Sequence, residues 1–421
     1  MKKITIWVIV TIIIIGASVI AIVSKRDDGS ITETTTETVV NVVKTEDISE
    51  NPTRDPAVID PAIKIGKQFS DGQCEGGEKP PITHAPMDLA DFSMIIPYGL
   101  MVSSHVTPID HQYFEPADRS LGADSYPVYA VAEATLINIS TRPSGAPGGS
   151  GTEYRLVFSM SCKLFYYYDL VTSLAPDIEA EFNSRGGRSI NIKIKAGQTI
   201  GRIGGQTLDF AVWDMEVMLP GFITPRLYER EPWKIHTADP LDYYTEQLKK
   251  MLVPKYVRTV EPISGKIDYD IDGKLIGNWF VQNTNGYAGV PDASGNYAST
   301  HLSISPDHID PSTFIVSIGN WPDQQSNQFG VAGNSPDPAT VDVSTGIVKY
   351  QLVNTSYQTP NGRQWNYDSV GESLSLVEGL EQRGCTLAQL MDDRLLKFES
   401  FPGQSCDAIA DFTDNALLYE R

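Results

Sequence analysis

Ile4 to Val23 is a run of twenty residues without a charge, bracketed by Lys2-Lys3 and Lys25-Arg26. That length matches one bilayer crossing as an α-helix. It exceeds the apolar core of a removable signal, and Ala17 to Ala21 fits the small-x-small cleavage pattern poorly, so an uncleaved anchor over residues 1–26 is expected ahead of a cleaved signal. Residues 27–60 then lose all apolar periodicity, with seven threonines, nine acidic residues against two basic ones, and no aromatic side chain. A segment of this kind cannot bury enough apolar surface to offset its ordering entropy. It reads as an acidic tether.

Beyond residue 60 the period shortens to two. Tyr126 to Ile139 is a β-branched run that ends before the Gly, Pro and Ser cluster of residues 140–151, and Tyr154 to Tyr168 is a second extended run. Ile190, Ile192 and Ile194 alternate with Asn191, Lys193 and Lys195, which predicts a strand with one wet face. Thr237-Ala238-Asp239-Pro240 supplies a cap followed by proline, predicting a helix over 240–252 between two β-domains. Strands resume after residue 256, with turns at Asp272-Gly273, Asn285-Gly286, Ser294-Gly295 and Asn361-Gly362, and a two-residue hairpin at Asp392-Asp393. The expected fold is mainly β: an anchor (1–26), a tether (27–60), a first β-domain (61–235), a linker helix (236–255) and a barrel or sandwich (256–421).

Composition narrows the partners. The formal charge of −20 is +4 in the anchor, −7 in the tether and −17 in the remainder, and no Lys/Arg cluster follows Arg26. Nucleic acid is therefore excluded as a partner, because phosphate binding needs clustered cations. Basic residues flank the anchor equally and do not orient it; the acidic, β-patterned bulk is expected outside the cytoplasm. Four cysteines suit an oxidising compartment, with Cys385–Cys406 and Cys74–Cys162 as one pairing and four unrelated thiols as the other reading. Asn138-Ile139-Ser140 and Asn354-Thr355-Ser356 match the N-glycosylation pattern.

Three landmarks in order carry a resemblance: Pro127-Val128-Tyr129-Ala130, then Lys195 to Gly204 with its KAGQTIGRIG hairpin, then Leu208-Asp209-Phe210-Ala211-Val212. Together, over about Ser104 to Val217, they resemble LytM-type zinc peptidases of the M23 family, which share a duplicated hybrid motif. The resemblance implies a Zn2+ ion held by His, Asp and His, with two further histidines in catalysis. The first ligand falls on His105. Asp110 stands five positions later rather than four and is followed by His111, an alternative ligand. Asp209 occupies the third ligand position, while Thr207 and Asp169 occupy those of the catalytic histidines.

Three of the family's histidines are thus replaced. Carboxylates in place of imidazoles hold zinc more weakly and leave a bound water more basic. Positioned acid–base groups each contribute about 10² to 10⁴ in rate, so their loss argues against ordinary hydrolysis. The expectation is a non-catalytic groove that binds a peptide, a cell-surface polymer or a protein ligand. The alternative is a divergent zinc peptidase acting on peptide or cell-wall cross-links, with His105, Asp110 and Asp209 on the metal and Asp169 as acid–base group. Tyr166, Tyr167, Tyr168 and Trp213 are expected either to line that groove or to serve as strand packing.

Gly277-Asn278-Trp279 near the start of the last domain, with Arg421 at its end, is similar to the lipocalin-like calycin pattern, in which a basic residue stacks on the Trp of the first strand. This implies a closed β-barrel. His301 alternates with Leu302 and Ile304 as an ordinary strand residue; an apolar ligand would require a cavity inside the barrel.

Overall fold

The computed structural model describes residues 59–186, 190–290, 296–322 and 327–421. The expected anchor and nearly all of the tether lie outside the described residues, as does the Ser294-Gly295 turn. No helix among the described residues is long and apolar enough to cross a membrane. The chain is mainly β, with short helices α1 (Pro61–Phe69), α2 (Pro176–Ser184) and α3 (Glu246–Leu252).

The first half contributes β1 (Phe92–Ile96), β2 (Gln112–Pro116), β3 (Tyr126–Tyr129), β4 (Ala134–Pro143), β5 (Thr152–Ser159), β6 (Leu164–Val171), β7 (Ser173–Leu174), β8 (Ile192–Ile194), β9 (Thr199–Ile203), β10 (Leu208–Asp214) and β11 (Thr237–Ala238). An antiparallel sheet runs β1-β2-β10-β6-β5-β4-β8, with β11 paired to β10; a small sheet β3-β9-β7 lies apart. Tyr126 to Ile139 is therefore two strands rather than one. The break falls at Ala130 to Glu133, where Ala130 exchanges backbone hydrogen bonds with Gly197 and Gln198 while the Val131 carbonyl accepts from Thr83 and His84. The second run divides likewise into β5 and β6. Ile190 and Ile194 are buried while Asn191 and Lys193 face water, as the alternation predicts.

Period two sorts this sheet's faces. Phe114, Tyr166, Tyr168, Phe210 and Val212 point to the larger core. Tyr167, Phe165, Ala211, Trp213 and Val157 point the other way and pack with Phe222, Tyr228 and Phe280. Only Tyr167 of the tyrosine triplet reaches the second face. Tyr166 and Tyr168 are core residues whose hydroxyls donate to the carbonyls of Ala132 and Tyr129.

The helix expected over 240–252 is shorter and later. Asp239 caps a single 3-10 turn, Pro240–Asp242, and Thr245 caps α3. Between them the Tyr243 carbonyl accepts from the Ile82 N–H and the Thr245 N–H donates to the Ile82 carbonyl, so this backbone is committed to a bridge instead of a helical ladder. Ala238, Leu241, Tyr244, Leu248 and Leu252 join the larger core. Residues Val58–Arg421 form one compact unit.

The second half closes into an eight-stranded antiparallel barrel: β12 (Gly277–Val281), β13 (His301–Pro306), β14 (Phe314–Ile318), β15 (Gln328–Val331), β16 (Val348–Gln358), β17 (Ser375–Asp392), β18 (Leu395–Pro402) and β19 (Leu417–Glu420). Phe280↔Glu420 and Val281↔Tyr419 pair the first strand with the last. The hairpin predicted at Asp392-Asp393 is present with its turn one residue later, since Asp392 pairs with Leu395. Leu302, Ile304, Val316, Phe329, Leu352, Leu390, Phe398 and their neighbours pack inside as a buried cluster. Gly277 has φ +116°, and a Cβ there would collide with Asp270, so the residue two before Trp279 must be glycine. Disulfides join Cys74 to Cys162 and Cys385 to Cys406.

Candidate functional site

Antiparallel register sets Tyr113, Asp209 and Asp169 side by side on β2, β10 and β6. All three belong to the second face of the sheet. His111 lies just before β2, and its Nε2 stands 3.1 Å from the Tyr113 hydroxyl and 3.3 Å from Asp209 Oδ2, while its Nδ1 is 3.5 Å from Asp110 Oδ1. Asp110, His111, Asp169 and Asp209 are each buried. The chain thus brings four of the five expected residues into one cluster. His105 stands at its margin, with its ring centre 6.0 Å from that of His111 and its backbone bridged both ways to Val102.

Three cations that the sequence motifs did not single out face these carboxylates. Lys234, whose side chain is 0% exposed, has its Nζ 4.0 Å from Asp110 Oδ1, donates to the Pro108 carbonyl at 2.9 Å and lies over the Tyr287 ring at 4.5 Å. Arg142 of β4 donates to Asp169 Oδ2 at 2.8 Å and also binds Glu153. Glu153 in turn accepts from Gln206 at 2.9 Å. Arg155 of β5, on the same face, adds its charge at longer range without an ion pair among the described residues. The Asp169 Oδ1 atom accepts from the Leu170 N–H at 2.8 Å, so both oxygens of the expected acid–base group are engaged.

Electrostatics follow this geometry. Burial works against the charge of Asp110, yet Lys234, His111 and Arg155 hold its carboxyl well below the usual carboxylate range. Burial also opposes a charged His111, but Asp209 and Asp110 overcome it and raise the imidazole. Asp209 is pushed up to about 7 by burial, against the pull of His111. Half-buried His105 is lowered to about 4, by burial first and by the positive charges of His111 and Lys234 next.

A zinc ion needs lone pairs from three or more side chains turned to one point at about 2.0–2.2 Å. Among the described residues no group of three or more His, Cys, Asp or Glu side chains is arranged to hold a metal ion. The carboxylates here are compensated by ammonium and guanidinium groups of the chain itself, and His111 spends its nitrogens on Asp110, Asp209 and Tyr113. The donor set does not fit zinc.

No family model matches the sequence, and no curated protein matches it. Among solved structures, a chain similar to this one is that titled "Structure of Helicobacter pylori Csd3 from the hexagonal crystal", at 17% identity over 32% of this chain and 31% of that one, with a TM-score of 0.21. The match spans about a third of the length of either chain. A superposition at that level does not establish a common fold, and the site rests on its own geometry.

The residues missed from sequence share one feature. Arg142, Glu153 and Lys234 lie outside the motif stretches, and Gln206 sits in the turn just before Thr207; no local pattern marks any of them. Tyr113 was open to detection, because it lies two residues past His111 and strand alternation puts i and i+2 on one face.

Proposed function

We propose that this chain is a membrane-anchored, extracytoplasmic binding or scaffolding protein. Its first β-unit is a non-catalytic LytM/M23-like domain, its second a calycin-like barrel, and its anchor is Ile4 to Val23. The observation that carries the reading is the Lys234 ammonium beside Asp110. A buried chain cation placed against the carboxylate that would serve as a metal ligand removes both the need and the room for a divalent ion. Arg142 does the same for Asp169. A site compensated in this way does not call for a metal-activated water, and the expected acid–base group Asp169 has both oxygens engaged, while the sheet face around it still offers aromatic and charged groups to a peptide, a cell-surface polymer or a protein ligand. Arg421 stacked over Trp279 supports the calycin comparison.

One observation favours the divergent peptidase. Among the described residues Asp209 Oδ1 is buried with no hydrogen-bond partner, as an oxygen awaiting a metal or a water would be. Incubating the full-length protein with zinc and cross-linked cell-wall polymer separates the two. Binding without cleavage is the expected result. Cleavage that disappears in His105→Ala would overturn the reading.

A further inference from the structure

Among the described residues the Arg155 side chain is in contact with aromatic rings and forms no hydrogen bond or ion pair, although its charge is felt by Asp110. Its guanidinium carbon lies 4.8 Å from the centre of the Tyr167 ring, 5.0 Å from that of Trp233 and 5.9 Å from that of Trp213. These contacts fix the plane of the group, but a π-face accepts none of its in-plane N–H bonds in a charge-assisted way. Among the described residues Arg155 makes no ion pair, and its Nε is buried without a partner. Its neighbour on the same sheet face, Arg142, grips two carboxylates. In a chain with 53 acidic residues against 33 basic ones, a stacked guanidinium with no carboxylate in hydrogen-bond reach among the described residues leaves its donors for an incoming acceptor.

The same arginine lines a pocket of about 300 Å³, walled by Phe69, Trp213 and Trp233, with Ser70, Asp71, Gln73, Asn138 and Ser140 among its polar groups. The indole Nε1 of Trp213 is likewise buried and has no partner among the described residues. Asp71 sits on the exposed rim and forms no ion pair with the guanidinium. The volume lies at the small end of ligand pockets, the size of an amino acid or the last residue or two of a peptide.

We propose that this pocket binds a carboxylate, with Arg155 as the bidentate anchor and the indoles of Trp213 and Trp233 covering the adjacent apolar part of the ligand. A guanidinium fork matches a carboxylate in geometry, and preorganisation by three rings removes much of the ordering cost that a free arginine would incur. The carboxylate belongs either to a free acylated amino acid or to a peptide C-terminus; both present the same planar anion to Arg155. This inference rests on the pocket alone and stands apart from the LytM-like reading.

The test is calorimetry and tryptophan fluorescence on the full-length protein. The probes are N-acetylalanine, N-acetylglycylalanine and the amidated form of each. Wild-type protein is expected to bind an acid saturably and to bind its amide at least tenfold more weakly. Arg155→Met should weaken acid binding by at least tenfold, and Arg155→Lys, which keeps the charge but loses the fork, by an intermediate factor. Tighter binding of the dipeptide acid assigns the site to a peptide end; equal binding of both acids assigns it to a single acyl-amino acid. The proposal is overturned if acid and amide bind alike, if Arg155→Met binds as wild type does, or if no probe binds saturably. The acid-against-amide comparison needs no variant, so a misfolded Arg155→Met would not leave the question open.

Discussion

Arg421, directly after β19, lies over the indole of Trp279 with its guanidinium carbon 4.1 Å from the ring centre. It also donates to the carbonyls of Ile271, Lys274 and Ile276, while the Trp279 Nε1 donates to Leu275 at 2.8 Å. One side chain therefore ties the loop before β12 to the end of β19, where the barrel closes. Arg421→Ala should cost on the order of 2–4 kcal/mol, the sum expected for a buried cation–π contact and charge-assisted hydrogen bonds. Arg421→Lys should recover only part of it, because an ammonium cannot reach three carbonyls while stacking. Urea unfolding of both variants checks this.

Lys234→Met should be among the more damaging single changes in the first half. It leaves Asp110 buried without its compensating charge, a loss of about 3–5 kcal/mol. Arg142→Met should cost much less, because the Arg142 side chain is 47% exposed and water can replace its pairing. Equal losses in chemical denaturation would contradict the buried-network account.

Acid should weaken the fold through His301. Burial, reinforced by Lys234, lowers its pKa from 6.5 to about 3, where it packs against Phe280 and Tyr287. The folded chain refuses a proton that the unfolded chain accepts. The stability conferred by neutral His301 is therefore complete above pH 6.5 and is lost as pH falls from there toward 3, at roughly 1.4 kcal/mol per pH unit. His301→Phe should flatten that part of the stability–pH curve relative to wild type.

The two disulfides should contribute unequally. Cys74–Cys162 closes a separation of 88 residues and Cys385–Cys406 one of 21. Loop-closure entropy then assigns about 4–5 kcal/mol to the first and about 3 kcal/mol to the second. Thermal unfolding of the paired Cys→Ser variants should rank them in that order.

How much of this was legible beforehand divides along physical lines. Strand alternation located the isoleucines of β8 and the hairpin of β17 and β18, because period two is a local property of the chain. The Trp279–Arg421 pair could be read because both residues sit at recognisable ends of the barrel. The helix over 240–252 was overextended, since nothing local reveals that Ile82, some 160 residues earlier, competes for the backbone of Tyr243 and Thr245. The site was half legible. Asp169 and Asp209 followed from motif order, but Lys234 and Arg142, which decide what those carboxylates can do, reach the cluster only through tertiary packing.

The central claim is that the cluster is neutralised by the chain's own cations instead of a metal. Its most direct test is a calorimetric titration of Zn2+ into metal-free full-length protein at neutral pH, repeated with His105→Ala. No stoichiometric binding is expected in either protein. One zinc per chain at micromolar affinity or tighter, abolished by His105→Ala, would contradict it.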